Sequence, residues 1–516
     1  METVLVLTRQ IDEQSIDDLR QIGGGSTQKI VGAACNSVFS LLLIVIVTRG
    51  YPQEKAGTFF AATTLFLLIG QASEIGADEA MLRYIPAFRA GRRQRDLSRL
   101  ISMIVVPVVV VASLSALIAL VFAAFLGRHL GSGGTEQDAM VSALRILLPF
   151  VPVIALGEVV LAATRGFQRM APSVAIYDIG LAALQALLPL IALLTFRGSV
   201  RALVVAWVVP YLFVLVAGVF VLRRMMRART YQPPGPDELV AGYWRFAVPR
   251  AAARVAQYGL RRIDVVLVAS LAGIRDAAIY TAITRLITVG TIGVQAVQQV
   301  AQPKLGELFH LEDRERAFTV FQTSTVWLMA VSWPVFVVFA VYAPVLLRAF
   351  GHGYTRGAST LAILCISQLL TVATGPVDVA LVQMGQSSLS LFNQTVALLI
   401  DVVLCVVLIP MYGLVGAGIA RIVALQWNNL APAAQVYRRA RLHTIGRASV
   451  TIGTAATVCF GVTGLAIRAR YGATATSLAE VLAIGIVSYG AVLVIVRRSA
   501  HLDLLVHTIL RRRQGS

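Results

Sequence analysis

The stretch that decides the fold is residues 100–126, which read LISMIVVPVVVVASLSALIALVFAAFL. This run contains no charged side chain, and an α-helix needs only about 20 such residues to cross the hydrocarbon core of a membrane. Apolar runs of similar length recur along the whole chain of 516 residues. The sequence therefore predicts an all-α, polytopic membrane protein.

The composition supports a membrane protein and argues against a nucleic-acid partner. Charged residues make up 14% of the chain, whereas soluble proteins carry roughly 25%. The net charge is +19, but the arginines lie in short loops between apolar runs and not in one tail or on one face, as nucleic-acid binding requires. We therefore expect no nucleic-acid partner.

Motifs of catalysis or metal binding are not found in the sequence. The four cysteines, at positions 35, 365, 405 and 459, lie inside apolar runs without metal-ligand spacing. A phosphate-binding glycine loop and a hydrolase triad are also lacking. We expect neither an enzyme nor a cofactor.

Breaks at glycine, proline and charged residues predict fourteen membrane spans. They lie near residues 27–48, 56–76, 100–126, 141–163, 172–196, 200–222, 246–271, 277–301, 318–346, 358–383, 388–411, 413–436, 446–467 and 478–496. The predicted organisation is a cytoplasmic segment (1–26), a six-helix bundle (27–222), a cytoplasmic linker (223–244), a second six-helix bundle (245–437), and two extra helices with a basic cytoplasmic tail (438–516). The segment 1–26 contains five acidic residues, unlike the basic start of a secretory signal.

Alternate loops differ in their arginine content, which sets the orientation. The arginine-rich loops lie near residues 89–99, 223–229 and 438–447, with a further cluster at 511–513. By the positive-inside rule, these loops and both termini are cytoplasmic. Each loop arginine alone is explained by orientation and contact with lipid headgroups.

An internal repeat is suggested by a shift of 221 residues, which places Val47–Phe59 on Val268–Tyr280. Identity is low, but polar positions coincide: Asn36 in span 1 aligns with Gln257 in span 7. Six spans per half return the chain to the same side, so the repeat is predicted to be parallel, about an axis along the membrane normal.

Polar residues form stripes on spans 7 and 8. At about 100° per residue, the stripe of span 7 occupies an arc of roughly 80°; its members are Arg250, Arg254, Gln257, Arg261 and Asp264. Span 8 carries Arg285 within a similar stripe of threonines and glutamines. Spans 1, 2, 7 and 8 are therefore predicted to line one water-filled cavity between the two halves.

Arg261 lies eleven residues after Arg250, or roughly 16 Å deeper along a helix. An arginine at that depth costs about 2.5–3.5 kcal/mol on insertion scales if it faces lipid. Two interpretations remain: an internal ion pair, for example of Arg261 or Arg262 with Asp264, or a cavity that binds an anion.

Acidic residues inside predicted spans are candidate proton or cation sites, although pairing with an arginine explains each one alone. The members of this coupling set are Glu74, Asp78, Asp264, Asp378 and Asp401. Glu158 and Asp178 are further acids inside predicted spans.

Several short motifs resemble a known family of transporters. They are Thr48-Arg49-Gly50, Ala56-Gly57-Thr58-Phe59-Phe60, Glu74-Ile75-Gly76-Ala77-Asp78, Leu82-Arg83-Tyr84, Arg165-Gly166-Phe167-Gln168-Arg169, Phe246-Ala247-Val248-Pro249, Tyr280-Thr281-Ala282 and Ile409-Pro410-Met411-Tyr412-Gly413-Leu414-Val415-Gly416-Ala417-Gly418. Over residues 20–437 the chain resembles the polysaccharide or O-antigen flippases, whose superfamily also holds multidrug and toxin extrusion transporters and the lipid II flippase.

The resemblance implies a flippase in a bacterial plasma membrane that moves a lipid-linked oligosaccharide on a polyprenyl diphosphate to the outer leaflet. The implied partners are this substrate, membrane lipid, and glycosyltransferases or a polymerase of polysaccharide assembly. The candidate substrate-binding residues are Asn36, Arg49, Arg250, Arg254, Gln257, Arg261 and Arg285. Alternatives are a multidrug or cation antiporter of the same superfamily, and a membrane partner of a polysaccharide synthase that does not transport.

Overall fold

The computed structural model describes residue 28 and residues 31–90, 97–131, 133–167, 169–196, 198–227, 238–311, 313–441 and 446–496. All regular structure in these ranges is helical. This confirms the prediction of an all-α fold.

Eleven α-helices precede the predicted linker in the described part of the chain. They are α1 (Val31–Gly50), α2 (Gln53–Ser73), α3 (Ala77–Ala90), α4 (Leu97–Val121), α5 (Ala123–Leu130), α6 (Gly134–Leu147), α7 (Val151–Gly166), α8 (Ala171–Ser173), α9 (Ala182–Phe196), α10 (Val200–Val208) and α11 (Pro210–Arg227). A 3₁₀ turn, Leu148–Phe150, joins α6 to α7, and a π-helical segment, Val174–Leu181, joins α8 to α9.

Twelve further α-helices follow. They are α12 (Glu238–Leu271), α13 (Ile274–Gly290), α14 (Ile292–His310), α15 (Arg314–Val341), α16 (Ala343–Arg348), α17 (Ala358–Ala373), α18 (Val377–Gln383), α19 (Ser387–Tyr412), α20 (Leu414–Ala440), α21 (Arg447–Ala456), α22 (Thr463–Tyr471) and α23 (Ala475–Val496). A 3₁₀ helix, His352–Gly357, precedes α17, and a π-helical segment, Thr457–Val462, joins α21 to α22.

Twelve helical stretches of the described chain are long and apolar enough to cross a membrane. The protein is thus a multi-pass membrane protein. Predicted spans 7 and 12 are also helices, α12 and α20, but both are outside this set of twelve. They carry more polar side chains: α12 contains Arg254, Arg261 and Asp264, and α20 contains Arg421 and Asn429. Hydropathy alone therefore supports twelve spans.

The connection between α19 and α20 shows why glycine is needed at one tight turn. Gly413 has a φ of +57°, a left-handed conformation that glycine adopts without steric cost. A Cβ atom at Gly416 would lie 2.2 Å from the carbonyl oxygen of Leu408. The glycines of this segment thus allow the second helix to begin directly against the end of the first.

The Cα packing divides the chain into two units. The described residues of unit 1 fall within Met1–Ile46, Phe66–Ala124 and Ser142–Arg254, and those of unit 2 within Val47–Leu65, Phe125–Val141 and Val255–Ser516.

The core of unit 1 contains an aromatic cluster of Phe66, Trp207 and Tyr211, whose rings meet edge to face at 5.6–6.0 Å between centroids. Gly166 of α7 meets α3 so closely that a Cβ atom there would lie 2.8 Å from the Met81 carbonyl oxygen. These contacts fix the position of α3, which begins at the acidic turn described below.

The last helices pack within unit 2 as part of its core. Ile452, Phe460 and Tyr489 from residues 447–496 belong to one buried cluster with Met329 and Tyr342 of the α15–α16 region. Residues 447–496 are thus integrated into unit 2.

Candidate functional site

The predicted stripe lies on α12, a helix of 34 residues. Arg250 belongs to this helix, but its side chain lies outside the described residues. Gln257 is half-buried and Arg261 is exposed. Spacings of three and four residues place 254, 257 and 261 on one face of an α-helix, so the helix presents guanidinium and amide groups in a row.

Arg254 lies at the start of the described part of this stripe. Its guanidinium Nη2 donates a hydrogen bond to Oδ2 of Asp78 on α3, and the two form an ion pair. The Asp78 side chain is 2% exposed and that of Arg254 is 30% exposed. The candidate substrate-binding Arg254 and the candidate coupling acid Asp78 therefore contact each other in unit 1.

The turn between α2 and α3 holds a second acid of the coupling set. Glu74 is almost fully buried, and its Oε1 accepts a hydrogen bond from Nε2 of Gln71 at 2.6 Å. The next residue, Ile75, has a φ of +50°, which is a genuine outlier for a β-branched residue. Such strain is concentrated at functional sites, so this turn is a candidate functional element.

Three acids and two arginines are within electrostatic reach of one another in unit 1. The acids are Glu74, Asp78 and Glu158, and the arginines are Arg165 and Arg254. The carboxyl group of Glu158 is additionally hydrogen-bonded by a tyrosine side chain. With all groups ionised, the acids exceed the arginines by one charge.

A second buried polar cluster lies in unit 2, where α12, α13, α19 and α20 meet. Arg421 of α20 lies 3.6 Å from Oδ2 of Asp264 and 3.4 Å from Oδ2 of Asp401. Its Nη1 also donates to the backbone carbonyl of Leu260. The hydroxyl of Tyr280 donates to Oδ2 of Asp264 at 2.7 Å. We call Asp264 and Asp401 the acid pair.

Arg49 has a defined role at the end of α16. Its Nε donates to the carbonyl oxygen of Ala349 at 2.8 Å and its Nη2 to that of Arg348 at 2.7 Å. The guanidinium thus satisfies carbonyl groups that have no partner within the helix. Nearby in the chain, Glu54 forms an ion pair with Arg275 at 2.5 Å.

The remaining candidates have separate environments. Asn36 is half-buried and accepts a hydrogen bond from the Ser40 hydroxyl at 3.2 Å. Arg285 is half-buried on α13. Asp378, at the start of α18, accepts a hydrogen bond from the Ser390 hydroxyl at 2.6 Å.

The structure therefore brings the predicted acids together in two groups: Glu74 with Asp78, and Asp264 with Asp401. Asp378 is partnered by a hydroxyl group in its own surroundings. Sequence reasoning missed Arg421, which binds both members of the acid pair. Its signal was an arginine within an otherwise apolar run that directly follows the predicted span containing Asp401.

Comparison with solved structures identifies the fold. The lipid II flippase MurJ in an inward closed conformation matches with a TM-score of 0.71 at 12% identity, covering 91% of this chain and 98% of that one. A multidrug resistance MATE family transporter of the MOP superfamily, in an inward-facing conformation, matches with a TM-score of 0.63 at 14% identity, covering 79% and 94%. The fold is thus that of membrane flippases and multidrug transporters.

Comparison of the sequence with models of protein families assigns the chain to a family. Residues 26–309 match the model of the family described as polysaccharide biosynthesis protein, which is more than half of the chain. No curated protein sequence gives a significant match. The chain belongs to the polysaccharide biosynthesis protein family, and the resemblance seen in its motifs is confirmed.

Proposed function

We propose that the protein is a flippase that moves a lipid-linked oligosaccharide, carried on a polyprenyl diphosphate, from the inner to the outer leaflet for cell-surface polysaccharide assembly. The observation that carries the proposal is the cationic face of α12. Membership in the polysaccharide biosynthesis family supports the glycan, and similarity of fold to the lipid II flippase supports movement across the membrane.

The chemistry of the stripe suits a diphosphate headgroup. Arginine binds phosphate oxygens through two parallel N–H···O hydrogen bonds. Along α12, Arg261 follows Gln257 at helical spacing, and Arg254, one turn earlier, would exchange its Asp78 partner for the phosphate. The amide of Gln257 both donates and accepts hydrogen bonds, as recognition of sugar hydroxyls requires. The proposed binding set also includes Arg250, Asn36, Arg285 and Arg49.

The exposure of Arg261 supports a ligand-binding role. In hydrocarbon an arginine at this position would cost about 2.5–3.5 kcal/mol on insertion scales, so we expect the exposed part of this side chain to lie in polar surroundings. A diphosphate in this place would replace water by charge-assisted hydrogen bonds. The polyprenyl chain would stay in the lipid.

The proposal also specifies the number of membrane spans and their arrangement, beyond the twelve apolar helices. We propose fourteen spans, with α12 and α20 as the two polar ones. Two six-helix bundles would be related by a parallel pseudo-twofold repeat, with alternating access by rocking of the halves. Both termini would face the cytoplasm of a bacterial cell, and the last two helices would accompany the lipid tail.

A multidrug or cation antiporter is a second candidate, because of the buried acids of unit 1. Glu74, Asp78 and Glu158 exceed their two arginine neighbours by one charge. Uptake of a cationic drug would favour this alternative. A synthase partner that does not transport would leave the leaflet distribution of lipid-linked sugar unchanged after its loss.

Depletion of the protein in its native host tests the proposal. Lipid extracts would be analysed by mass spectrometry, and intact spheroplasts treated with an impermeant glycosidase. We expect lipid-linked oligosaccharide to accumulate in a form protected from the enzyme. Accumulation in an accessible form would contradict the proposal, since the substrate would then have crossed without the protein.

A further inference from the structure

The turn between α1 and α2 packs with unit 2, although the rest of both helices packs with unit 1. Val47–Leu65 belongs to unit 2, whereas the described residues on either side, up to Ile46 and from Phe66, belong to unit 1. Since the N-terminus is predicted to be cytoplasmic, this turn lies on the side predicted to face outward. The outer ends of α1 and α2 are therefore held by contacts with the second half of the chain.

An ion pair joins the first turns of α2 and α13. Oε1 of Glu54 lies 2.5 Å from Nη2 of Arg275, and the two side chains are 33% and 64% exposed. Beside the pair, the two helices approach so closely that a Cβ atom at Gly57 would lie 1.9 Å from the carbonyl oxygen of the buried Ile274. The helices thus meet directly, with the charged pair at the exposed edge of their contact.

The two partners of this ion pair are equivalent positions of the predicted repeat. Glu54 and Arg275 are 221 residues apart, which is the shift that aligns the two halves. The next residues, Lys55 and Asp276, are equivalent as well. At both positions the sign of the charge is inverted between the halves, so each position carries an opposite charge to its own counterpart.

Contact between equivalent residues has a geometric meaning. Two positions related by a twofold axis touch each other only where both lie near that axis. In the proposed parallel repeat the axis runs along the membrane normal, between the halves, where the substrate would pass. Burial agrees with the alignment here, since the next equivalent residues, Ala56 and Ala277, are both 0% exposed. The ion pair therefore lies over the outer end of the proposed path.

The contacts of the turn are individually weak enough to break in a transport cycle. An ion pair with this exposure changes an equilibrium by up to about fivefold. Arg49, at the end of α1, adds hydrogen bonds of 2.8 and 2.7 Å from Nε and Nη2 to two carbonyl oxygens at the end of α16. Several modest polar contacts at an exposed edge suit a part that separates and re-forms.

We propose that Glu54 and Arg275 form an outer latch, which closes the path on the side predicted to face outward and separates when the protein opens there. The latch rests on the proposed alternating access but not on the identity of the substrate. The α1–α2 turn leaves unit 2 on opening, and the inverted charges of the two equivalent positions draw it back into register on closing.

Distances between spin labels test the latch without any substrate. Pro52→Cys places a label on the α1–α2 turn, where Pro52 is exposed. Tyr471→Cys places a reference label at the end of α22, where Tyr471 is 55% exposed. Both changes are made in a full-length variant whose four native cysteines are replaced by alanine, and double electron–electron resonance is recorded in nanodiscs. We expect a main distance for the latched turn and a longer, minor distance for the released turn.

Reversal of charge separates an ion-pair latch from a loss of packing. Glu54→Gln should lower the ratio of latched to released turn by up to about fivefold, and Glu54→Arg should lower it further, because two cations then face each other. The double variant of Glu54→Arg with Arg275→Glu restores an attractive pair and should return the ratio toward the wild-type value. An unchanged ratio in Glu54→Arg, or no recovery in the double variant, would overturn the proposal.

Two controls are matched to these variants. Glu307 of α14 forms an ion pair with Lys304 in which both side chains are about half exposed, so Glu307→Gln removes a comparable pair and should leave the ratio unchanged. A label at Tyr412→Cys, paired with the label at position 471, reports a distance within unit 2. That distance should stay the same in every variant. A change in it would overturn the proposal, since the charge variants would then alter unit 2 itself.

Cross-linking separates failure of the latch from failure of the proposed function. Glu54→Cys and Arg275→Cys are combined in the cysteine-free protein, joined by a short bismaleimide, and assayed in proteoliposomes. Joining the two positions should stop transport, which the protein without cross-linker performs. Transport that continues after complete cross-linking refutes the latch alone. A latch that responds to charge as expected, in a protein that does not move lipid-linked diphosphate, refutes the proposed substrate alone.

Discussion

Replacement of Arg421 by glutamine is expected to destabilise the protein more than any surface substitution. The Arg421 side chain is 15% exposed, and its guanidinium contacts two carboxylates and the Leu260 carbonyl. Removing one partner of a buried ion pair costs about 3–5 kcal/mol, because the other charge stays buried. Arg421→Gln should lower the free energy of unfolding by about that amount at neutral pH.

The free energy of unfolding can be measured in mixed micelles by titration with SDS. The buried thiols of Cys365 and Cys405 report unfolding by reacting with a fluorophore. The loss should shrink at lower pH, because protonation of both members of the acid pair removes the unpaired charge. Arg316→Gln is the control: its pair with Asp313 is largely exposed, and such pairs contribute about 0–1 kcal/mol. Equal stability of the two variants would refute the reasoning.

Two further substitutions test packing and hydrogen bonding. Gly57→Ala should destabilise the protein by about 1–3 kcal/mol through overpacking, because its Cβ would lie 1.9 Å from the Ile274 carbonyl oxygen. Gly490→Ala is the control, since a Cβ at that position meets open space. Melting temperatures of the two variants in detergent should differ accordingly. Tyr280→Phe should cost about 1.5–3 kcal/mol, since its hydroxyl donates to a charged group. Tyr342→Phe should cost less in the same SDS titration, as its hydroxyl contacts are neutral and long, at 3.3–3.4 Å; the reverse order would contradict the role of the acid pair.

The helical membrane fold could be predicted because the hydrocarbon core of a bilayer imposes the same physical constraint on every span. Each span must be apolar and must satisfy its own backbone hydrogen bonds, so the signal is local in the sequence. The two polar helices, α12 and α20, were also found, because glycine and proline breaks bound them even where hydropathy is low. The apolar criterion alone misses both helices.

The acid pair shows what could not be predicted. Asp264 was expected to be either part of an anion-binding stripe or an ion-pair partner of Arg261 or Arg262. The structure pairs it with Arg421, which lies more than 150 residues later in the chain. Arg262 and Asp264 are two residues apart and so do not face each other on a helix. The choice of partner depends on how α12 packs on α20, which local periodicity does not encode.

The strained turn at Ile75 could not be predicted from the sequence either. The motif of residues 74–78 resembles that of flippases, but an isoleucine in the sequence gives no indication of a positive φ, which β-branched residues rarely adopt. Glycine follows it at position 76 with a φ of +69°, and Glu74 and Asp78, on either side of this turn, both lie near Arg254. Tertiary contacts here override local preference.

The most direct test of the central claim is translocation by purified protein in proteoliposomes that contain a fluorescent polyprenyl-diphosphate oligosaccharide. The fraction of substrate accessible to an impermeant reagent would be followed over time for the wild type, Arg261→Ala and the control Arg316→Ala, with equal amounts of folded protein. The account predicts translocation by the wild type and the control, and its loss in Arg261→Ala. Unchanged translocation in Arg261→Ala would contradict the assigned site, and no translocation by the wild type would contradict the proposed function.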